Sequence, residues 1–582
     1  MKRLGIIIAG IFLTVALFAT ERKALLLFVQ FKDLQFTADA TQFQGLADSL
    51  TLYYNAQFHG NPEFSFTKGP LITIDESFLA YGQNRPSYKP STDTKMHEAV
   101  VQACRQAADS LSLAVFINPP ETELRDILVL VPSKSETDSL ENNLFRTQFV
   151  NLKDKDIFGN KTFYAGRYRI ACYGIACELG ADGEFTGIGN LAHEYGHVLG
   201  LPDWYDTDGE GSGGVSPALW GNLSLMDDGN RNCGGHRPPN FSAPDYYTLG
   251  AGMGEKIDTA GTYTLEPIDQ QGRFFIFEGP RGGEVFLAES RLDRGWDTLI
   301  GGRGLAIYHY DRSDGPAGWS SWDGRNLTAA ERWEKNRVNC NPAHQCVELQ
   351  APDTLSAFFP SGPMESFASE TVPAFRFWDG SISPLAITGI TQASDGVVTF
   401  NLTRPISGLG VAPFQNSVIV SWKCDDAISG IDSCRVVCTK GADTLAVAKG
   451  SLLAENRWSC TIGGLSPATT YRVAVYIMKN GSPFFSAAMS ASTLPMRGGS
   501  IPFIYLRGGR RNNDGSFAPG SRIPLQVFNA ARVEKVVWYW NGSETEAEAD
   551  GLFTIPGNGM LKAEVFLQDG SIDYIEKEIT VR

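Results

Sequence analysis

Residues 186–206 read TGIGNLAHEYGHVLGLPDWYD, and this stretch satisfies two patterns at once. Taken as a helix over residues 188–199, it puts Ile188, Leu191, Ala192, Tyr195, Val198 and Leu199 on one side, and Asn190, His193, Glu194 and His197 on the other. One face is predicted to be core and the other to face a cleft. Histidines four residues apart stand one above the other on such a helix, so His193 and His197 are placed to converge on one tetrahedral zinc ion. Glu194, one step round from His193, reaches a water at that ion without becoming a ligand, and is the candidate general base. Gly200 permits the left-handed backbone that ends a helix, and Pro202 prevents its resumption, so the chain turns and brings Asp203 back toward the histidines. The spacing becomes HExxHxxGxxD, with Asp203 as the candidate third ligand and His236, in GGHRPP, as the alternative. A third ligand from a glutamate on a following helix is disfavoured, because after Glu210 no glutamate occurs until Glu255. Downstream, LWGNLSLMDDGN places Met226 in a short apolar segment suited to a turn beneath such a site.

Upstream of the motif, KALLLFVQF and DILVLVPS are apolar runs of strand character, and TKMHEAVVQACRQAADSL between them has helical spacing. That alternation predicts an α/β (α+β) domain over residues 21–255. From 256 to 404 the pattern changes to short strands split by Gly, Pro, Asn and Asp, which predicts an all-β extension. Residues 405–495, with SVIVSWKC early and LSPATTYRVAVYIM late, and residues 496–582 read as two further all-β sandwiches, the second Ig-like. A chain of 582 residues exceeds one core, so this multidomain reading is the expected one. Residues 1–20, with Lys2 and Arg3 before an apolar run from Leu4 to Phe18, read as an export signal. That run is shorter than the about 20 residues that span a bilayer, so the mature chain is expected to have no membrane span. The net charge of -15 repels a phosphate backbone, which excludes nucleic acid as a partner class. Ten cysteines form an even set that allows disulfides in an exported chain; Cys172 with Cys177 and Cys340 with Cys346 are the expected local pairs. Asp206, Asp208 and Glu210 form a hard-cation cluster, the candidate site for a calcium ion, with a solvated acidic loop as the competing reading. Tyr246 and Tyr247 are read as packing residues rather than donors to a reacting oxyanion.

HEYGHVLGLPDWYDTD followed by ALWGNLSLMDDG resembles the immune inhibitor A family of bacterial secreted metallopeptidases. GPLITIDESFLAYG, ELGADGEF, PPNFSAPDYYTLG and FLAESRLDRGWDTLIGGRGLAIYHYD are similar to blocks of the same family, so the resemblance spans roughly residues 22 to 403. It implies a zincin-type metallopeptidase domain, with His193, His197 and Asp203 as zinc ligands and Glu194 in the catalytic role. In SLSLAVFINPPETELRDILVLV most of the acids that the family carries before this strand are missing, which argues against a calcium site there. Residues 405–495 resemble a fibronectin type III module, with Trp422 in an early strand and Tyr471 placed as a corner tyrosine.

These observations predict an exported, zinc-dependent endopeptidase acting on proteins or peptides outside the cytoplasm, whether secreted, at the cell surface or in a periplasm. The sandwiches are candidates for surface or host-protein binding. Two other classes stay open on sequence: a zinc hydrolase of a non-peptide amide bond, and an adhesin-like protein on a peptidase scaffold.

Overall fold

A computed structural model describes residues 21–84, 93, 95–138, 144–217, 221–454, 456–494, 503–512, 514–528, 533–568 and 572–582. The expected export signal lies outside the described residues. Among the described residues no helix is long and apolar enough to cross a membrane. The described residues form two compact units, those up to 257, within 264–364 and within 391–399 in the first, and those within 258–263, 365–390 and 400–582 in the second.

The first unit begins with a mixed sheet. β1 (Glu21–Phe31), β2 (Glu63–Ile74), β3 (Ile127–Lys134), β4 (Gln148–Asn151) and β5 (Cys172–Leu179) lie in the order β2-β1-β3-β5-β4. All neighbours are parallel except β4, which runs antiparallel on β5. The two apolar runs noted above are β1 and β3, and they are continuous rather than alternating because both sheet faces are covered. Ala24, Leu26 and Phe28 pack on α1 (Ala40–Gln57) and on the motif helix, whereas Leu25, Leu27 and Val29 pack on α2 (Met96–Ala107). This period-2 division also corrects one disulfide expectation. Cys172 and Cys177 lie on the same extended strand and on opposite faces, so their Cα atoms are about 16 Å apart, too far to be bridged. All ten cysteines are free thiols, Cys340 and Cys346 included.

The motif helix is α3 (Gly189–Leu199), ended by Gly200 at φ 114° as its sequence requires. It lies against β5 so closely that a Cβ on Gly174 would fall 2.7 Å from Glu194 Cβ. Tyr195, on its core face, donates to Asp126 Oδ1 at 2.5 Å, and Arg22 Nε reaches the same oxygen at 2.7 Å. Beyond α3, α4 (Ala243–Leu249) leads to a second sheet of β6 (Met253–Lys256), β7 (Arg273–Glu278), β8 (Glu284–Arg291), β9 (Gly304–Asp311) and β10 (Val347–Leu349), in the order β10-β9-β8-β7-β6. Phe274, Leu287 and Tyr308 of this sheet share one core with Leu191, Tyr195 and Trp204. The two sheets therefore belong to one unit, and the sequence change at residue 256 marks a change of layer inside it.

In the second unit two four-stranded antiparallel sheets form a sandwich. β11 (Ile406–Pro413), β12 (Val418–Cys424), β13 (Ser433–Lys440), β14 (Asp443–Lys449), β15 (Ser451–Ala454), β16 (Arg457–Ile462), β17 (Thr470–Lys479) and β18 (Ser482–Ser492) pair in the orders β11-β12-β16-β15 and β14-β13-β17-β18. Trp422 is buried, and the Tyr471 hydroxyl accepts from Ser466 N at 2.8 Å, closing a tyrosine corner. Ala368 and Ala386 pack into the same core, so Pro405 lies inside this unit rather than at its edge. A second β-structure follows, with Val533–Trp540 central to a four-stranded sheet over a core that includes Ile523, Phe553 and Leu561.

Candidate metal centre

α3 carries His193 and His197 into a cleft of roughly 660 Å³ whose lining includes Arg146, Phe149, Tyr205 and Asn336. Each imidazole is fixed from behind. His193 Nδ1 donates to the Leu225 carbonyl at 2.9 Å, and His197 Nδ1 donates to the Leu201 carbonyl at 2.7 Å. A carbonyl only accepts, so both Nδ1 atoms hold the proton, and in the neutral rings each Nε2 presents a bare lone pair to the cleft. The turn after Gly200 brings Asp203 Oδ1 to 3.1 Å from His193 Nε2 and 3.3 Å from His197 Nε2. One ligand atom from each of the three residues lies within 4.8 Å of the others. Atoms bound at 2.0–2.1 Å to a shared tetrahedral ion sit about 3.3–3.4 Å apart, so the observed separations suit a zinc ion. Asp203 Oδ1 and Glu194 Oε2 are both buried without a hydrogen-bond partner, as acceptors aimed at a cation and at a water would be.

The electrostatics follow from burial and close charges. For Asp203 burial favours the neutral acid, but the two histidines outweigh it and hold the carboxyl well below the usual carboxylate range. For His193 and His197 burial opposes protonation, yet Asp203 lifts both above the ordinary imidazole value. Burial pushes Glu194 up to about 8; the Asp203 charge adds to this, while His193 and Arg146 oppose it. Without a cation Glu194 is thus held largely protonated at neutral pH.

The turn containing Met226 supports the centre through its backbone. Leu225 supplies the carbonyl for His193, and the Met226 carbonyl accepts from Trp204 N at 2.9 Å, next to Asp203. Met226 Sδ fills the space over Gly196, where a Cβ would lie 2.6 Å from it. Trp204 Nε1 donates to Asp245 Oδ1 at 2.8 Å, and Asp245 caps α4. The start of α4 is in turn gripped by the second sheet. Arg291, fully buried between Glu289 and Asp297, donates to the Asn240 carbonyl, and Glu289 accepts from Ala243 N.

Of the remaining sequence candidates, His236 is exposed in a turn and does not join the cluster. Tyr246 is buried and donates to the Gln57 carbonyl, and Tyr247 packs on Phe274 and Tyr310, so both are packing residues. Asp206 accepts from the backbone N–H groups of Asp208, Gly209 and Ser216 and so organises its loop; Asp208 and Cys340 lie near it, and Glu210 is exposed. Arg146, Tyr205 and Asn336 were not singled out by any pattern, because each reaches the cleft from a loop with no periodic signature.

A match to a known family supports a metallopeptidase. Residues 157–256 match the family described as immune inhibitor A peptidase M6, catalytic domain. No curated protein matches the chain. Solved structures similar to parts of it include the FN5 domain of Drosophila Lar, 17% identical over 16% of this chain and 96% of that one, at a TM-score of 0.13. The fn3 domain of human collagen alpha-1(XX) chain is 21% identical over 16% of this chain and 90% of that one, at 0.14. A two fibronectin type-III domain segment from chicken tenascin is 13% identical over 30% and 98%, at 0.13.

Proposed function

We propose that this protein is an exported zinc endopeptidase that hydrolyses proteins or peptides outside the cytoplasm. The observation that carries the reading is the convergence of His193 Nε2, His197 Nε2 and Asp203 Oδ1, in a cleft that Glu194 also lines with its Oε2 buried and unpartnered. His193, His197 and Asp203 would hold a zinc ion, which would supply Lewis acidity to acidify the attacking water and polarise the scissile carbonyl. Glu194 accepts the proton of that water and returns it to the departing amine. A cation held beside Glu194 would offset the burial that keeps the free carboxyl protonated and so favour its base form. Leu225 and Leu201 keep both imidazoles in the tautomer that leaves Nε2 free.

Substrate placement is supported by β4. It is the last strand of its sheet, Gln148 to Asn151 line the cleft, and Phe149 lies against the His197 ring at 5.6 Å. An extended peptide added to such an edge gains backbone hydrogen bonds and passes its scissile bond before the histidines. The test combines zinc analysis with cleavage of a diverse peptide mixture by the wild type and Glu194→Gln. The expected result is stoichiometric zinc in both and a fall of about 10²–10⁴-fold in hydrolysis by the variant. Zinc without peptide cleavage in the wild type would favour a non-peptide amide as substrate, and retained turnover in Glu194→Gln would refute the assigned base.

A further inference from the structure

A lone aspartate offers two carboxylate oxygens, and a ligand must present one of them in a fixed place. Here Asp203 Oδ2 is occupied. Asn336 Nδ2 donates to it at 2.7 Å, while Asn336 Oδ1 accepts from the Asp203 backbone N–H at 2.8 Å. Because a backbone N–H can only donate, the amide's oxygen must face it, and the NH2 group must then face the carboxylate. Only Oδ1 is left toward the two Nε2 atoms.

The placement of Asn336 is built with care. α5 (Ala329–Glu334) starts in a capping box between Thr328 and Glu331, and its Trp333 packs edge-on against Trp204 at 5.3 Å between ring centroids. The chain leaves α5 through Asn336 at φ 53°, a left-handed backbone that Asn and Gly adopt readily. Of those two only Asn carries both a donor and an acceptor. The Asn336 carbonyl also accepts from Thr207 Oγ1 at 3.2 Å, and Asn339 Nδ2 donates to the Trp204 carbonyl at 2.8 Å. The segment thus holds the loop of Asp203 from both sides. It lies well beyond residues 157–256, the part that matches the peptidase family.

We propose that Asn336 is the positioning residue of the metal centre, which fixes Asp203 so that Oδ1 alone is offered to the ion. This rests on the zinc reading above, and it makes the region after the motif helix a working part of the site. Asn336→Gly keeps the left-handed backbone and removes both hydrogen bonds. Asn336→Asp keeps an acceptor for the Asp203 N–H and sets a carboxylate against Oδ2. The experiment strips the full-length proteins of metal and measures zinc affinity by chelator competition, the melting temperature of the metal-free forms, and peptide kcat and KM at saturating zinc. Both variants are expected to bind zinc about 10- to 100-fold more weakly. Metal-free Asn336→Gly should melt close to the wild type, and saturating zinc should restore kcat with KM unchanged. Wild-type zinc affinity in both variants would overturn the role of Asn336, as would a lower metal-free melting temperature with zinc affinity unchanged. Absence of zinc binding by the wild type itself would overturn the metal reading, and this inference with it.

Discussion

Glu194 is a carboxyl held up to about 8 by burial, against an ordinary value of 4.5, and that has a consequence measurable without any substrate. Its folded pKa lies above the unfolded one, so between those values the folded metal-free protein binds the extra proton. Stability from this group is complete below about pH 4.5 and is lost as pH rises toward about 8. Glu194→Gln removes the titration while preserving shape. Metal-free wild type and variant should therefore melt alike near pH 5, and the variant should melt higher near pH 8; a constant difference across that range would refute the burial argument. Asp203 behaves differently, since its depressed pKa reflects two histidine partners rather than isolation. Asp203→Ala should abolish stoichiometric zinc, because one of three protein ligands is gone and two imidazoles are left facing each other. His236→Ala is the matched control, with an exposed side chain outside the cluster. Zinc content measured on the folded variants decides the matter, and loss in the His236 variant alone would reverse the assignment.

At the scale of elements, the contact between α3 and β5 sets where His193, Glu194 and His197 stand. Gly174 is the only residue type that fits: an added Cβ would meet Glu194 Cβ at 2.7 Å and Leu128 Cδ2 at 2.8 Å. Gly174→Ala should push α3 off the sheet, costing about 1–3 kcal/mol of stability and lowering hydrolysis as Glu194 moves. Thermal melts and peptide assays on the same preparation test this, and an unchanged melting temperature would show that the contact is slack. How far elements could be read from sequence follows from the same packing. α3 announced itself because its apolar stripe, its glycine stop and its HExxH spacing coincide, and β1 and β3 did so as continuous apolar runs. β4 did not, since the four residues QFVN are too short to show alternation and only their place at the end of the sheet puts them along the cleft. Asn336 was illegible for a different reason. Its partner is 133 positions away, and nothing local in EKNRVN separates it from any helix-ending asparagine. The expected Cys172–Cys177 pair does not form, because an extended strand holds residues that are close in sequence far apart in space.

For the whole molecule, the question is what each part of the second unit does for the first. Every group placed at the centre, His193, Glu194, His197, Asp203 and Asn336, belongs to the first unit. The C-terminal region from residue 405 onward contains no histidine. Its sandwiches are therefore expected to be silent in the chemical step. The point of separation, however, is not Pro405. Residues 365–390 belong to the second unit, where Ser369 Oγ accepts from Ser486 N at 2.9 Å, Glu370 N donates to the Phe484 carbonyl, and Ala368 and Ala386 enter the sandwich core. A chain ending at Arg404 keeps this segment and removes what it packs on, leaving apolar surface and buried polar groups without partners. A chain ending at Leu494 keeps the first sandwich whole and gives up contacts such as the half-exposed Arg457–Glu548 ion pair, a kind worth about 0–1 kcal/mol. The two truncations should differ accordingly. The longer should resist limited proteolysis as the full-length chain does and cleave short peptides at the full-length rate. The shorter should be cut within residues 365–390 while its uncleaved fraction still binds zinc. Equal protease resistance in both would mean that this segment stands without the sandwich. A zinc-loaded longer truncation that cannot cleave any short peptide would mean that the C-terminal structure beyond Leu494 shapes the active site after all.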